Sequence, residues 1–390
     1  MTDSFTETTT TSWGSRLMAS LKGVLLGIVL FIAAFPLLWW NEGHTLHRVE
    51  TLDEGRNMVI AVATRPVDSK NDGRLVYFSG TAETEESYKD PRFGVNEKAL
   101  KVKRSVEMYQ WDEDSETKTE QNLGGSETKK TTYNYTQKWS ENLIDSSSFK
   151  QPEGHKNPDS TQDRSQSFQA ISVTVDEFNL SPDFINKINS YEPYPITEAN
   201  AAAMDASAKE LFKIHDNGYL YGDPANPKVG DLRVKYSVIK PATVSVIGKQ
   251  NGHRVEPYLT KNGSIALLEM GNVGADTMFA TAQTDNRVTA WLIRLGGFFL
   301  MWAGLGLVFS PVKILADVVP FIGNIVEAGV GFILGLAALA LSTIIIALAW
   351  LAYRPLIGLA LLATAGAIAF ACFKQLRKAK PLPTAANPAA

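Results

Sequence analysis

Four stretches of this sequence, 23–40, 295–312, 328–353 and 355–373, carry no charged residue. Each is close to the ~20 apolar residues that a helix needs to cross a bilayer core. They lie at the two ends of the chain, and the long middle is polar. The hydrophobic share of 45% over 390 residues looks ordinary only because it averages these two regimes. A chain built this way is expected to be an integral membrane α-helical protein with four transmembrane helices and a large β-rich α+β extracytoplasmic domain between the first and second.

The first apolar run exceeds the ~7–15 residues of a signal-peptide core. Trp39-Trp40-Asn41-Glu42-Gly43-His44 follows it in place of a small-residue cleavage site, so a retained anchor is expected. Arg354-Pro355 separates the last two runs and predicts a tight hairpin, because proline cannot continue a helix interior. Basic residues in short flanks set orientation. With the N-terminus inside, Arg16, Lys22, Lys313, Lys374, Arg377, Lys378 and Lys380 face the cytoplasm. Trp39, Trp40, Trp291, Trp350 and Tyr353 then mark one outer interface.

The resulting layout is a disordered cytoplasmic tail at 1–17, transmembrane helix 1 at 18–41, the extracytoplasmic domain at 42–288 and transmembrane helix 2 at 291–310. An amphipathic interfacial helix follows at 311–327, then helix 3 at 328–352, helix 4 at 355–373, and a basic, then disordered, cytoplasmic tail at 374–390. Both termini are expected in the cytoplasm.

Period-two alternation marks strands in the middle. Leu232, Val234, Tyr236 and Val238 alternate with Arg233, Lys235 and Ser237, and Leu100, Val102, Val106 and Met108 with polar neighbours. Tyr133, Tyr135 and Trp139 do likewise. Between the last two lies 112–130, read as a long polar hairpin tip around Gly124-Gly125. Ser181-Pro182-Asp183 predicts a helix start, and the alanine-rich stretch 198–214 a second helix.

Little here points to catalysis. The net charge is −3, so no basic field suggests nucleic acid. The single cysteine, Cys372, lies in the last apolar run, so the polar domain can use neither disulfides nor a cysteine metal site. His44 and His47, three apart, could share a helix face as metal ligands, but a solvated turn explains them better. His155 sits in a turn-rich loop, and Asp223 and Asp231 read as turn formers. No catalytic residue, cofactor or metal is expected, and the chain is read as not an enzyme.

Lys313, Asp317, Asn324 and Glu327 fall on one narrow face at 100° per residue, with apolar residues around the rest. That stripe predicts a helix lying at the interface, with Lys313 and Asp317 paired locally or, alternatively, an ion site at Asp317 and Glu327. Gly331 and Gly335 have the small-xxx-small spacing that lets helices approach.

Several pieces resemble the LUMA family of four-span proteins (transmembrane protein forty-three). They are Trp40-Asn41-Glu42-Gly43 after the first span, Val106-Glu107-Met108-Tyr109-Gln110-Trp111, His155-Lys156-Asn157-Pro158, Val229-Gly230-Asp231-Leu232-Arg233-Val234 and Tyr353-Arg354-Pro355-Leu356. They come in the family's order over nearly the whole chain, although His44 stands where the family pattern has arginine. The resemblance implies the same layout and no catalytic residues. It also implies a role in organising membrane protein complexes with self-association, as is thought of eukaryotic relatives in the endoplasmic reticulum and inner nuclear membrane. For this chain a bacterial inner membrane is the expected location. The expected partners are the lipid bilayer, further copies of the chain, and an unidentified membrane or extracytoplasmic protein. The competing expectation is an ion conduit or lipid-handling protein that uses polar residues of the C-terminal bundle.

Overall fold

The alternating segments pair where their apolar faces can be buried. A computed structural model describes residues 3–317, 320–355 and 363, with 320–328 described by backbone alone. The elements used below are β1 (Asp3–Thr11), α1 (Trp13–Met58), β2 (Leu75–Glu83), β3 (Lys101–Gln121), β4 (Glu127–Ser140), β5 (Gly218–Tyr221), β6 (Leu232–Ile239), β7 (Ala242–Asn251), β8 (Leu267–Met270), α2 (Ala275–Val308), α3 (Ser310–Ala316) and α4 (Pro320–Tyr353). They form two units, one of residues 1–11, 48–122 and 126–285, the other of 12–47, 123–125 and 286–390.

The first unit is β-rich, and its two large sheets follow from the two periodic regions. The eight-stranded sheet runs β1, β4, β3, β6, β5 and then Lys213–His215. Val102, Val106, Val234, Tyr236 and Val238 point to one side and are buried with Phe93 and Tyr219. The seven-stranded sheet centres on β7, with β2 and β8 antiparallel on its two sides. Its Val76, Phe78, Val244 and Val246 pack against Phe178 and Phe184. A third cluster joins Leu52, Leu75, Ile247, Ile265 and Phe279.

Three expectations for this unit change. The polar stretch 112–130 is strand almost throughout. β3 and β4 stay paired out to Gln121 and Glu127, and the turn is only as long as the Asn122 N–H bond to the Ser126 carbonyl allows. Gly124 and Gly125, at φ 85° and 78°, supply its left-handed conformations. Threonine favours strand, and Thr117 and Thr131 meet across the ladder at 2.9 Å.

The tail at 1–17 is also ordered from Asp3. β1 pairs with β4 from Asp3–Tyr135 to Thr11–Glu127, again through threonine, with Thr6 and Thr132 hydroxyls 3.1 Å apart. That pairing joins segments that the expected orientation places on opposite sides of a membrane. Third, the helix expected over 198–214 breaks into Glu198–Ala203 and Ala206–Leu211, because Asp205 leaves the helix to cap the second piece by accepting the Ala208 N–H.

The second unit is helical. α1, α2 and residues 329–353 of α4 are long and apolar enough to cross a membrane. Their outward side chains are apolar too, with Leu25, Phe332 and Ile333 exposed. Ala34, Leu38, Met301, Ala338 and Ile345 pack inside. The helices overrun the expected spans: α1 covers Trp13–Met58, 46 residues, or ~69 Å at 1.5 Å per residue. The continuous helix expected over 311–327 is interrupted. α3 stops at Ala316 and α4 opens on Pro320, since proline is tolerated in a first turn but not inside a helix. The expected fourth span, 355–373, lies outside the described residues except for 355 and 363.

Candidate functional site

Glu42 closes the first apolar run, and a carboxylate at that depth needs a partner. α1 turns it toward α2, where Arg294 stands just before the second charge-free run. Arg294 donates from Nε to Glu42 Oε1 and from Nη2 to Oε2, both at 2.7 Å. The side chains are 15% and 3% exposed, so the pair is shielded from water. Trp350 of α4 donates its indole N–H to Glu42 Oε2 at 2.6 Å. Arg294 also lies 4.9 Å from the Trp291 ring centre and 6.0 Å from that of Trp350, a cation–π geometry. One carboxylate thus ties three helices together.

The neighbours of Glu42 complete the junction. Asn41 donates to the Ala290 carbonyl at 3.3 Å. Gly43 faces Tyr353 so closely that a Cβ there would lie 2.6 Å from the ring. Two pieces singled out for the family resemblance, 40–43 and 353–356, therefore meet at Gly43 and Tyr353. A hollow of about 70 Å³ lies beside them, lined by Glu42, Thr45, Leu46, Arg294, Tyr353 and Arg354, among others. Between α2 and α4 runs a larger groove of about 500 Å³, with Trp291, Arg294 and Trp350 at one end and Leu295, Phe298 and Leu339 along it.

The residues singled out from the sequence are placed as follows. Asp317 is 3% exposed and accepts from Arg16 Nη2 at 2.6 Å, so its ion-pair partner is Arg16 rather than Lys313. Arg16 also donates to the Gly125 carbonyl at 2.6 Å. Lys313 lies in α3 and gives Asp317 only a backbone carbonyl, as acceptor of its N–H at 3.1 Å. The side chains of Asn324 and Glu327 lie outside the described residues. Gly335 meets Trp302 at 3.4 Å, whereas no described residue lies within 4 Å of where a Gly331 side chain would begin, and Gly331 accepts the Trp302 indole N–H at 3.1 Å.

Two glycines of the helical unit instead meet the backbone of a neighbouring helix. A Cβ on Gly27 would lie 2.7 Å from the Gly304 carbonyl oxygen, and one on Gly304 2.7 Å from the Phe31 nitrogen. That is the α1–α2 crossing.

His44 stacks on Trp40 at 4.9 Å and His47 lies edge-on to Tyr353 at 6.2 Å. No group of three or more potential metal ligands occurs among the described residues. His155 is buried, stacked 3.9 Å from Tyr135, with its ring nitrogens 2.8 Å from the Gln151 carbonyl and 2.9 Å from Asp3. Asp223 and Asp231 accept backbone N–H bonds from Ala225 and Lys228, which is the turn-forming role.

Buried polar chemistry in the β-rich unit centres on Asp90. Its Oδ2 accepts from Tyr236 at 2.6 Å, Tyr88 at 3.1 Å and Arg104. Burial, and then the Asp90 carboxylate, push the Tyr236 hydroxyl far above its usual range, and the same two causes raise Tyr88. Burial lifts Tyr219 to about 12. These phenols stay neutral and donate, so the cluster braces the sheet.

Sequence reasoning missed the Glu42–Arg294–Trp350 junction. The signal was an acid at the end of one span and an arginine at the head of another, both at the expected outer interface.

The helical unit with its ion-paired junction and the β-rich unit define a membrane protein carrying a large β-rich domain. A family model described as transmembrane protein 43 matches residues 108–355. Transmembrane protein 43 of Rattus norvegicus is 32% identical over 353 residues, covering 87% of each chain. The Homo sapiens protein is 31% identical with the same coverage. The Drosophila melanogaster homolog is 29% identical over 369 residues, 90% of this chain and 94% of its own. The chain therefore belongs to the transmembrane protein 43 family, the LUMA family that its motifs resemble. No solved structure matches it.

Proposed function

We propose that this protein is a non-catalytic, self-associating membrane scaffold that organises membrane protein complexes through its β-rich domain. The observation that supports this reading is the way ionisable groups of the helical unit are used. Glu42 is closed by Arg294 and Trp350, and Asp317 by Arg16. Ionisable groups on a transport path face a cavity or a water-filled route. Here each carboxylate is held by a basic partner from another part of the chain, which suits a rigid platform better than an ion conduit.

The test is native mass spectrometry of the full chain extracted in mild detergent, beside ion flux in vesicles reconstituted with it. A defined oligomer that retains co-purifying membrane proteins, with no flux, is the expected result. A monomer with robust conductance lost in Asp317→Asn/Glu327→Gln would overturn the scaffold reading and establish the conduit.

A further inference from the structure

We propose that the groove between α2 and α4 holds one acyl chain of an anionic phospholipid, whose phosphate is received at the groove mouth by Arg354 beside Arg294. The inference goes beyond the scaffold reading and does not depend on it.

Size and lining come first. The groove, about 500 Å³, falls within the ~300–1,000 Å³ usual for small-ligand sites. Leu295, Phe298, Leu339, Ile346 and Ala347 make it apolar. The two hydroxyls in it make no demand on a ligand, since Ser342 and Thr343 both donate back to the Leu339 carbonyl, at 3.0 and 2.7 Å. Along α4 the lining runs from Leu339 to Trp350, about 16 Å at ~1.5 Å per residue. That is half of a ~30 Å hydrocarbon core, the depth of one leaflet. A crossing helix would call for a groove of the full depth.

The mouth matches a lipid head. Trp291 and Trp350 stand there, with Tyr353 in the adjoining hollow, and such aromatics settle at headgroup level. Glu42 neutralises Arg294. Arg354 lines the same hollow, and its guanidinium has no hydrogen-bond or ion-pair partner among the described residues. Among the described residues the hollow beside the mouth therefore carries one uncompensated positive charge, the complement of one phosphodiester.

The experiment reconstitutes the full chain in nanodiscs of phosphatidylcholine with a minority of phosphatidylglycerol, then counts retained lipids by native mass spectrometry. The parent is expected to keep one phosphatidylglycerol per chain in preference to phosphatidylcholine. Arg354→Gln should lower that retention roughly five-fold, the weight of one basic side chain near an anionic surface, and Arg354→Lys should keep it. Ala347→Phe, which fills the groove, should release the lipid. Equal retention of both lipids, or retention unchanged by Ala347→Phe, overturns the proposal. So does a parent that keeps none, which would mean that a second copy or residues 356–373 cover the groove. Quenching of tryptophan fluorescence by brominated lipids needs no variant. Brominated phosphatidylglycerol should quench more than brominated phosphatidylcholine, and equal quenching overturns the proposal as well.

Discussion

Glu42 and Arg294 meet through two parallel 2.7 Å hydrogen bonds although 252 positions separate them in the chain. The Trp350 indole adds a third bond to the same carboxylate. Removing one member of a buried ion pair strands the other, at a cost of ~3–5 kcal/mol, whereas removing both is far milder. Glu42→Gln should therefore lower the thermal midpoint of the detergent-solubilised protein more than Glu42→Gln/Arg294→Gln does. Trp350→Phe keeps the ring but loses one hydrogen bond to a charged group, ~1.5–3 kcal/mol. A double variant as damaged as the single one would show that the pair does not act as a unit.

The α1–α2 crossing rests on backbone against backbone. At Gly27 and Gly304 the atoms that a Cβ would meet, at 2.7 Å, are a carbonyl oxygen and an amide nitrogen, and neither can rotate away. Gly27→Ala and Gly304→Ala should each destabilise by about 1–3 kcal/mol, the usual range for overpacking. Gly331→Leu meets no described residue where its side chain begins and should leave the thermal midpoint of the single chain nearly unchanged. If Gly331→Leu nonetheless shrinks the assembly seen by native mass spectrometry, the open face of α4 lies between copies.

Alkaline pH should weaken the β-rich unit through its buried phenols. Tyr236 and Tyr88 are raised by burial and Asp90, and Tyr219 is raised to about 12. The folded state holds these protons more tightly than the unfolded chain, whose tyrosines titrate near ~10. Their contribution is complete below that pH. It is lost as pH rises toward the folded values, because the unfolded state then binds fewer protons. Thermal melts of the full chain should fall steeply between about pH 10 and 12, in step with tyrosinate absorbance. Tyr236→Phe should start lower, having lost its bond to Asp90, yet decline less steeply. An identical slope in the variant would exclude Tyr236 as a contributor.

What the sequence disclosed depended on whether burial left a periodic trace. Three apolar helices long enough to cross a membrane were legible because hydrocarbon tolerates no charge, and β6 because Val234, Tyr236 and Val238 alternate with polar residues. The outer half of the β3–β4 hairpin has no apolar face, so its threonine and charged residues read as loop although they pair to Gln121 and Glu127. The 311–327 stripe assumed a helix running through Pro320. The chain breaks there, and Asp317 turns to Arg16. Glu42 and Arg294 were visible only as flanking charges, since nothing in a local window says which distant residue a charge will meet.

The pairing of β1 with β4 bears on how the chain sits in its membrane. Thr6 and Thr132 are register partners, and their hydroxyls are 3.1 Å apart. A single crossing by α1 would put residues 3–11 on one side of the bilayer and the domain that follows on the other. An open polar strand edge cannot lie in hydrocarbon. The pairing and a single crossing by α1, which the orientation expected from basic flanks presupposes, therefore exclude each other. The chain has one cysteine, Cys372, so Cys372→Ser gives a clean background for Thr6→Cys/Thr132→Cys. Cross-strand partners in register lie within the ~4.4–6.8 Å Cα separation that a disulfide spans. Mild oxidation of native membranes should close the bond, read as a mobility shift reversed by reductant, while a control pair out of register, Thr10→Cys/Thr132→Cys, should stay open. Free thiols in the Thr6/Thr132 variant, labelled by impermeant reagent from opposite faces, would instead establish the crossing and detach β1 from the sheet.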